Sequence, residues 1–312
     1  MILTVTLNAS VDKMYMVDEV KLNSVMRVRQ AIPTAGGKGL NVSRVAAAFG
    51  EKVLATGFLG GFSGEYIQSL LEKDGIASDF VKIEGETRSC INVVDLATGK
   101  HTEFLEPGAK VSGAEQQAFL ERYKKYLPLC SVTVLSGSLP QGVSAEYYGT
   151  LISLAKEQGK KVILDTSGEP LKQSLVFRPT LIKPNADEIR QLCDLPDVSL
   201  ESLQRAAFVL NRRGIANVII SLGEKGSLAA CEEGIFLCDS PCVDVVNTVG
   251  CGDSMVAGFA VGLARGYSFE DTLRIGVAAA AANAPTKTTG RLRPADLQQL
   301  RPLVNIRRLD DI

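Results

Sequence analysis

The sequence predicts an α/β protein built on a doubly wound, mostly parallel sheet that is flanked by helices. Short apolar segments rich in β-branched residues recur along the chain, at 2–7, 52–57, 132–136, 161–165, 180–183 and 218–221. Segments with the apolar period of an α-helix alternate with them. Strands that are buried on both faces and alternate with helices of about 10–15 residues are typical of a parallel sheet.

The helices are predicted from apolar residues spaced at 3.6-residue intervals. They are expected at 41–49, 65–72, 115–127, 144–158, 186–193, 199–213, 253–265 and 270–283. In the first of these, four apolar residues between Val42 and Phe49 fall at i, i+3, i+4 and i+7, and Gly50 follows as a stop. A further strand is predicted at 243–246, directly before a glycine-rich loop.

Two insertions alternate polar and apolar residues, as strands with one solvent-facing side do. Strands are predicted at 12–20, 25–32, 88–96 and 101–105, with a turn at 98–100. The insertions, 12–33 and 88–106, are expected to form a small β-sheet lid over a core made of 1–11, 34–87 and 107–312. One face of this lid would be apolar and incompletely used, which predicts a homodimer through the lid.

Composition excludes several classes of protein. The 312 residues carry a net charge of −1, so the chain has no overall field for nucleic acid or an anionic membrane. The sequence contains no apolar stretch of membrane-spanning length and no basic, apolar leader at its start. Seven scattered cysteines without a CxxC pair favour reduced, buried thiols over metal ligands, and thus a cytoplasmic protein.

Two glycine-rich loops each precede a predicted helix. The first, 35–41, reads Ala-Gly-Gly-Lys-Gly-Leu-Asn, which is not a Walker A loop but lets backbone approach a ligand closely. The second, 247–254, reads Asn-Thr-Val-Gly-Cys-Gly-Asp-Ser and would present free N–H groups to an anion. From the residues alone, Asp253 is equally well interpreted as a helix cap or as a base beside that anion site.

Three shorter polar motifs follow predicted strands, at 136–140, 183–188 and 221–226. Each is weak alone, because polar turns are common at strand ends. In an open parallel sheet, however, ligands bind outside the carboxyl ends of the strands. The shared position of the three motifs therefore predicts one binding site at that edge.

These motifs, in this order, resemble those of the ribokinase-like sugar kinases, the PfkB-type family. The loop at 36–41 with the glycines at 57–64 is similar to the first family signature, and 247–254 is similar to the second. Asn185 and Glu188 match a magnesium-associated motif. The resemblance covers essentially the whole chain and implies the ribokinase-like fold, with ATP and Mg²⁺ as cofactors.

The resemblance also implies a role for each matching residue. The catalytic group would be Asp253 as base, with the amides of Gly250, Cys251 and Gly252 as an anion hole. The sugar and its existing phosphate would be held by Asp12, Arg27, Gly37, Lys38, Asn41, Arg88 and Ser138. The nucleotide would be held by Lys183, Asn185, Ser221, Gly223, Gly226 and Asn283. Glu188 would hold Mg²⁺ through water. Cys251 departs from the small residue usual at its position, and Asn247 replaces an acid that often supports a monovalent cation.

Within the family, the sequence is most similar to the branch that phosphorylates hexose phosphates. Tagatose 6-phosphate is the expected acceptor because the extra lysine of the fructose 1-phosphate enzymes is missing after Arg88. Fructose 1-phosphate is the alternative. A kinase of nucleosides or unphosphorylated sugars would not need the basic cluster of Arg27, Lys38 and Arg88. A non-catalytic sugar or nucleotide sensor would not need Asp253.

Overall fold

The computed structural model describes residues 1–309, in which helices cover a large β-sheet and a smaller β-sheet stands apart from it. The strands are β1 (Ile2–Thr6), β2 (Ser10–Val17), β3 (Gln30–Gly36), β4 (Val53–Gly60), β5 (Ala77–Ser78), β6 (Val81–Ile83), β7 (Arg88–Asp95), β8 (His101–Leu105), β9 (Val132–Ser136), β10 (Lys161–Asp165), β11 (Leu181–Ile182), β12 (Asn217–Ser221), β13 (Ser227–Cys231), β14 (Gly234–Asp239) and β15 (Asn305–Leu309). The helices are α1 (Lys38–Ala48), α2 (Gly61–Lys73), α3 (Gly113–Tyr126), α4 (Tyr147–Glu157), α5 (Gly168–Ser174), α6 (Ala186–Leu192), α7 (Leu200–Arg212), α8 (Cys251–Arg265), α9 (Phe269–Asn283) and α10 (Pro294–Leu300).

The main sheet has a parallel centre, as the alternation of strands and helices predicts. Its order runs β4–β1–β9–β10–β11–β12, and β1 pairs in parallel with both β4 and β9. All five residues of β1 are buried, which explains why this strand is an unbroken apolar and β-branched run. The parallel arrangement brings the carboxyl ends of these strands to one edge.

Helices cover both faces of the main sheet. Alternate residues of β1 point to opposite sides, so that Leu3 packs with α3 and α4 while Ile2 packs with α1, α8 and α9. The predicted helices are all present, with shifted ends, and α5 and α10 were not predicted. The fully buried Tyr148 and Phe259 lie in the two cores, one on each side.

The strand predicted at 243–246 is wrong. The N–H groups of Val246 and Asn247 both donate to the carbonyl of Ala284, just after α9, and Val245 is largely exposed. These β-branched residues therefore lie in a loop that is held by a helix end. The sheet instead continues through β13, β14 and β15, which are antiparallel and were not predicted.

The small sheet consists of β3, β2, β7 and β8, in that order. The prediction of a strand at 25–32 is wrong in its position: residues 18–29 form no strand, and β3 instead covers Gln30–Gly36. Pro33 lies within β3, which is tolerated because β3 is an edge strand. Both predicted strands of the second insertion are present as β7 and β8.

No helix within residues 1–309 is long and apolar enough to cross a lipid bilayer. All seven cysteines lie in this part of the chain and are free thiols, of which Cys90, Cys130, Cys231 and Cys238 are buried.

Candidate active site

A cavity of about 520 Å³ lies where the carboxyl ends of the parallel strands meet the small sheet. Residues at or just beyond the ends of β1, β9, β10, β11 and β12 line it on one side, and Asp12, Thr34 and Arg88 of the small sheet line it on the other. Ligands of open α/β sheets bind at this edge. The fold therefore brings the separate motifs of the sequence to one place.

Helix α8 begins at the second glycine-rich loop and directs its first turn toward the cavity. Gly250 occupies the N-cap position in a left-handed conformation, with φ of 84°, and no side chain caps the helix. Interpreting Asp253 as a helix cap is therefore wrong. Its buried carboxylate instead accepts a hydrogen bond of 2.7 Å from the Nδ2 of Asn41.

At the start of α8, one of the three predicted amides already donates a hydrogen bond and two do not. The N–H of Cys251 donates to the carbonyl of Thr248 at 3.3 Å. Among residues 1–309, no acceptor is paired with the N–H of Gly250 or Gly252, and both glycines line the cavity. Unpaired N–H groups at a helix start attract an anion. The amides of Gly250 and Gly252 are thus available to bind an anion.

A buried carboxylate joins two lysines at the cavity wall. Asp165, the last residue of β10, lies 3.4 Å from the Nζ of Lys38 and 3.4 Å from the Nζ of Lys183. Burial opposes the charge of Asp165, but Lys183 and Lys38 together outweigh it and hold the pKa of Asp165 below its ordinary value. Asp165 raises the pKa of Lys38 in turn. This arrangement fixes two cations beside the start of α8.

Asp253 has the opposite shift. Burial raises the pKa of Asp253 to about 6, and the charge of Asp165 adds to the increase, while Lys38, Asn41 and Lys183 oppose it. A carboxyl group with a pKa of about 6 is ionised at neutral pH and accepts a proton more readily than an ordinary aspartate does.

The small-sheet side of the cavity contains a second acid and a separate cation. Asp12 accepts a 2.6 Å hydrogen bond from Ser10, and burial raises its pKa. The Nε and Nη2 of Arg88 donate to the carbonyl of Asn8, and its Nη1 donates to the carbonyl of Glu106. Within residues 1–309, no carboxylate lies close enough to Arg88 to form an ion pair. Its charge is therefore available to an anionic ligand.

Most of the residues predicted for the site line this cavity. These are Asp12, Gly37, Lys38, Asn41, Arg88, Ser138, Lys183, Asn185, Glu188, Ser221, Gly250, Gly252 and Asp253. The sequence motifs thus identify one continuous surface, although they are spread over 242 positions from first to last.

The other predicted residues lie elsewhere. Arg27 is exposed in the 18–29 segment and does not line the cavity. Gly223 lines a neighbouring cavity that shares Asn185 and Ser221 with the first, whereas Gly226 lines neither. Asn283 is fully buried and donates to the carbonyl of Val249 and to the Sγ of Cys251. Both partners belong to the loop before α8 or its first turn, which Asn283 therefore supports.

A divalent cation fits this site only with help from other ligands. Within residues 1–309, no three Asp, Glu, His or Cys side chains are grouped so as to hold a metal ion. Glu188 lines the cavity, and its Oε2 accepts from the N–H of Asn185 in the cap of α6. Mg²⁺ commonly keeps several waters and uses one or two carboxylates together with substrate phosphates. One carboxylate at the wall fits such a site.

Sequence reasoning missed two charged residues of the site. Asp165 ends a correctly predicted strand, so its position at the ligand-binding edge was a usable signal. Arg44 lies within α1, is buried and donates to Asn41, and nothing in the helical pattern distinguishes it from a surface arginine.

Comparisons with known proteins agree with this architecture. The model of the pfkB family of carbohydrate kinases matches residues 5–295. A tagatose-6-phosphate kinase of Staphylococcus epidermidis is 43% identical over 295 residues, which are 94% of each chain. Phosphofructokinase-2 of Escherichia coli, solved in complex with potassium, superposes with a TM-score of 0.91 at 32% identity, covering 97% of this chain and 98% of that one.

A possible 1-phosphofructokinase of Thermotoga maritima superposes with a TM-score of 0.90 at 27% identity, covering 99% of both chains. These matches confirm the predicted ribokinase-like fold with its separate small sheet. The family match extends over both glycine-rich loops and over all of the cavity-lining residues named above. The chain belongs to the pfkB family of carbohydrate kinases.

Proposed function

We propose that this enzyme transfers the γ-phosphoryl group of ATP to a hydroxyl of tagatose 6-phosphate, giving tagatose 1,6-bisphosphate. One observation carries the proposal: a single cavity contains both the buried base Asp253 beside free helix amides and Arg88, a cation without a carboxylate partner. The first group suits a phosphoryl acceptor, and the second suits a phosphate that the acceptor already carries. The 43% identity to a tagatose-6-phosphate kinase supports the choice of sugar.

In the proposed reaction, the acceptor hydroxyl lies against the carboxylate of Asp253. Its oxygen forms a bond to the γ-phosphorus of ATP, the bond from that phosphorus to the bridging oxygen of ADP breaks, and Asp253 takes the hydroxyl proton. The amides of Gly250 and Gly252 and the ammonium groups of Lys38 and Lys183 stabilise charge on the transferring group. Mg²⁺, held by Glu188 through water and by the nucleotide phosphates, would neutralise phosphate charge when bound.

The positions of the cations suggest different roles for them, and they favour the transferring phosphoryl group for Lys38 over the sugar phosphate to which the resemblance assigns it. Lys38 and Lys183 share the carboxylate of Asp165, close to Asp253, and so suit the transferring phosphoryl group. Arg88 contacts Asn8, whose Nδ2 donates to the hydroxyl of Ser138, and these residues suit the phosphate of the sugar. Asp12 and Asn41 would bind hydroxyl groups between them.

Fructose 1-phosphate is the second candidate acceptor, because the fold also matches a possible 1-phosphofructokinase closely. Enzymes that phosphorylate fructose 1-phosphate carry an additional lysine in the small sheet, and this lysine is absent here after Arg88. One charge-assisted hydrogen bond is worth roughly 1.5–3 kcal/mol, or about tenfold or more in preference. The missing lysine therefore favours tagatose 6-phosphate.

The proposal includes a homodimer formed through the small sheet, in the cytoplasm. By strand alternation, the face of this sheet opposite the Asp12 and Arg88 side chains carries Tyr15, Val93, Ile91 and Phe104 around Lys13, and the strand register makes Tyr15 a neighbour of Val93 and Ile91 a neighbour of Phe104. Phe104 is 60% exposed. An apolar patch of this kind favours pairing with a second copy, and seven free thiols suit a reducing compartment.

The test is an ADP-release assay on the purified enzyme with tagatose 6-phosphate, fructose 1-phosphate, fructose 6-phosphate and unphosphorylated tagatose. We expect the highest kcat/KM for tagatose 6-phosphate. Asp253→Asn should lower kcat by about 10²-fold or more, as loss of a general base does, and leave ATP binding by calorimetry nearly unchanged.

A tenfold advantage for fructose 1-phosphate would assign the enzyme to the alternative acceptor. Wild-type turnover by Asp253→Asn would show that Asp253 is not the base. Absence of ADP release with every sugar, together with intact nucleotide binding, would favour a sensor.

A further inference from the structure

Arg44 is a buried cation that the proposed reaction does not use. It lies on α1, is 6% exposed, and forms no ion pair with any carboxylate in residues 1–309. Burial lowers the pKa of its guanidinium to about 10, so the group stays protonated at neutral pH. Burying an unpaired charge is costly. A cation kept at such a cost needs a reason in the surrounding contacts.

The contacts of Arg44 tie together three parts of the site. Its Nη1 donates to the carbonyl of Ala35, near the end of β3, at 2.6 Å. Its Nη2 donates to the Oδ1 of Asn41 and, at 3.4 Å, to the carbonyl of Thr289. Its Nε is buried and has no partner among the described residues. Two of its three donor nitrogens thus bind the small sheet, Asn41 and the segment after α9 that contains Thr289.

Asn41 lies between a group that only donates and a group that only accepts. The guanidinium of Arg44 has no acceptor, and the ionised carboxylate of Asp253 has no donor. The Asn41 carboxamide satisfies both in only one orientation, with Oδ1 toward Arg44 and Nδ2 toward Asp253 at 2.7 Å. Turning the amide over would face its oxygen toward a carboxylate.

We propose that Arg44 is a positioning residue, which acts through the Asn41 carboxamide to hold the Asp253 carboxylate in its reactive orientation. The proposal rests on the proposed role of Asp253 as base. The hydrogen bond from Asn41 occupies the Oδ2 of Asp253 and leaves Oδ1 for the acceptor hydroxyl. A displaced base loses rate more than affinity, because alignment with the reacting atoms matters most in the transition state.

The experiment is a double-mutant cycle with Arg44→Met and Asn41→Ala, assayed in the full-length enzyme with ATP and tagatose 6-phosphate. Arg44→Met alone should lower kcat by about 10- to 100-fold, with KM for ATP changed by less than about twofold. In the Asn41→Ala background, Arg44→Met should lower kcat by less than about twofold, since its target is already absent. Lost contacts to Ala35 and Thr289 would act equally in both backgrounds.

Arg44→Lys tests whether the contacts of the guanidinium with several acceptors matter, or only its positive charge. It also serves as the second variant if Arg44→Met does not fold, as judged by its melting temperature. A lysine keeps the charge but cannot fork between two acceptors, so kcat should stay reduced by at least about fivefold. Arg122→Met is the control, because Arg122 is partly buried and donates to a carbonyl, that of Phe80, outside the cavity, although it also pairs with Asp79. It should leave kcat unchanged.

Equal effects of Arg44→Met in both backgrounds would overturn the inference, and so would full activity of Arg44→Lys. Failure of the proposed function would look different. In that case Asp253→Asn would itself retain turnover, whereas the inference alone fails if Asp253→Asn is inactive and the cycle shows no coupling.

Discussion

Two buried aspartates of the site have pKa values shifted in opposite directions, and their neighbours explain why. Asp165 lies between Lys38 and Lys183, whose charges overcome the effect of burial. Asp253 is also buried, but its carboxylate accepts its hydrogen bond from the neutral Asn41, and the charges of Lys38 and Lys183 do not overcome the effect of burial. Sites that separate the pKa values of two carboxyl groups assign them different roles. Here Asp165 stays ionised and holds cations, while Asp253 can exchange a proton.

The raised pKa of Asp253 predicts the pH dependence of turnover. A base must be ionised before it can accept a proton, so kcat should fall as the pH drops through about 6, the value to which burial raises this pKa. With an ordinary aspartate as the base, kcat would fall only near pH 3.8, the unperturbed pKa of this side chain. The measurement is kcat at saturating ATP and tagatose 6-phosphate over the range in which the enzyme remains folded.

Asn41→Ala provides the internal check on that profile. Removing the hydrogen bond to the charged carboxylate should move the acidic limb to higher pH, because Asn41 stabilises the ionised form. A profile that is flat down to about pH 5, in the wild-type enzyme, would contradict the assignment of Asp253 as base.

At the scale of elements, α8 ends on a left-handed glycine at each side, but only one of them is crowded. A Cβ on Gly250 would lie 2.7 Å from the Cγ2 of Thr289 and 2.8 Å from the N of Gly290, whereas nothing lies within 4 Å of one on Gly266. We expect Gly250→Ala to displace the helix start and its amides and to lower kcat by about 10²-fold or more.

Gly266→Ala is the matched control on the same helix. Its φ of 68° still strains an alanine, which should cost about 1–2 kcal/mol of stability in thermal or denaturant unfolding. Its kcat/KM should equal that of the wild type. Comparable activity of the two variants would show that the geometry of the Gly250 loop does not govern the reaction.

The sequence predicted elements well where local preference and tertiary environment agree. The parallel strands β9 and β10 are short, rich in β-branched residues and buried except for the first residue of β10, so their residue types alone identify them. The segment 243–246 has the same residue types, yet its backbone bonds go to Ala284. Propensity cannot tell which partner the chain will find. The opposite error occurred at β13: this strand was not predicted, because its small residues have little preference for strands.

The site was predictable to the extent that its residues stand in local motifs. Asp253, Lys183 and Asn185 each follow a strand or open a helix, and the resemblance to a family assigns them together. The pairing of Lys38 with Asp165 spans 127 positions, and Arg44 reaches Thr289 across 245. Contacts over such distances depend on how the layers pack, which no local pattern contains.

For the whole molecule, we expect a dimer that buries the outer face of the small sheet. Light scattering on the eluting enzyme at micromolar concentration should give twice the mass of the 33.3 kDa chain. Phe104→Glu should shift the population toward monomer, because it places a charge in the apolar patch without removing a buried side chain.

Phe62→Glu is a suitable control for this variant, since Phe62 is 86% exposed but lies on α2, outside the small sheet. It should leave the mass unchanged. A fully active wild-type enzyme that is monomeric under these conditions would contradict the proposed dimer.

The central strands of the small sheet begin to pair at one row of residues, where the chain leaves and re-enters the core. Ser10, where β2 begins, pairs with Gly36 at the end of β3 and with Arg88 at the start of β7. Every ladder bond within this sheet lies on the far side of that row, and the base and the anion hole lie on the near side. Val11 and Ala35, the residues next to that row, still pack against Leu40 of α1 and Ile67 of α2, so the part of the sheet that is free to vary lies further out along the strands. Substitutions there can change which acceptor is recognised without altering the residues that transfer phosphate.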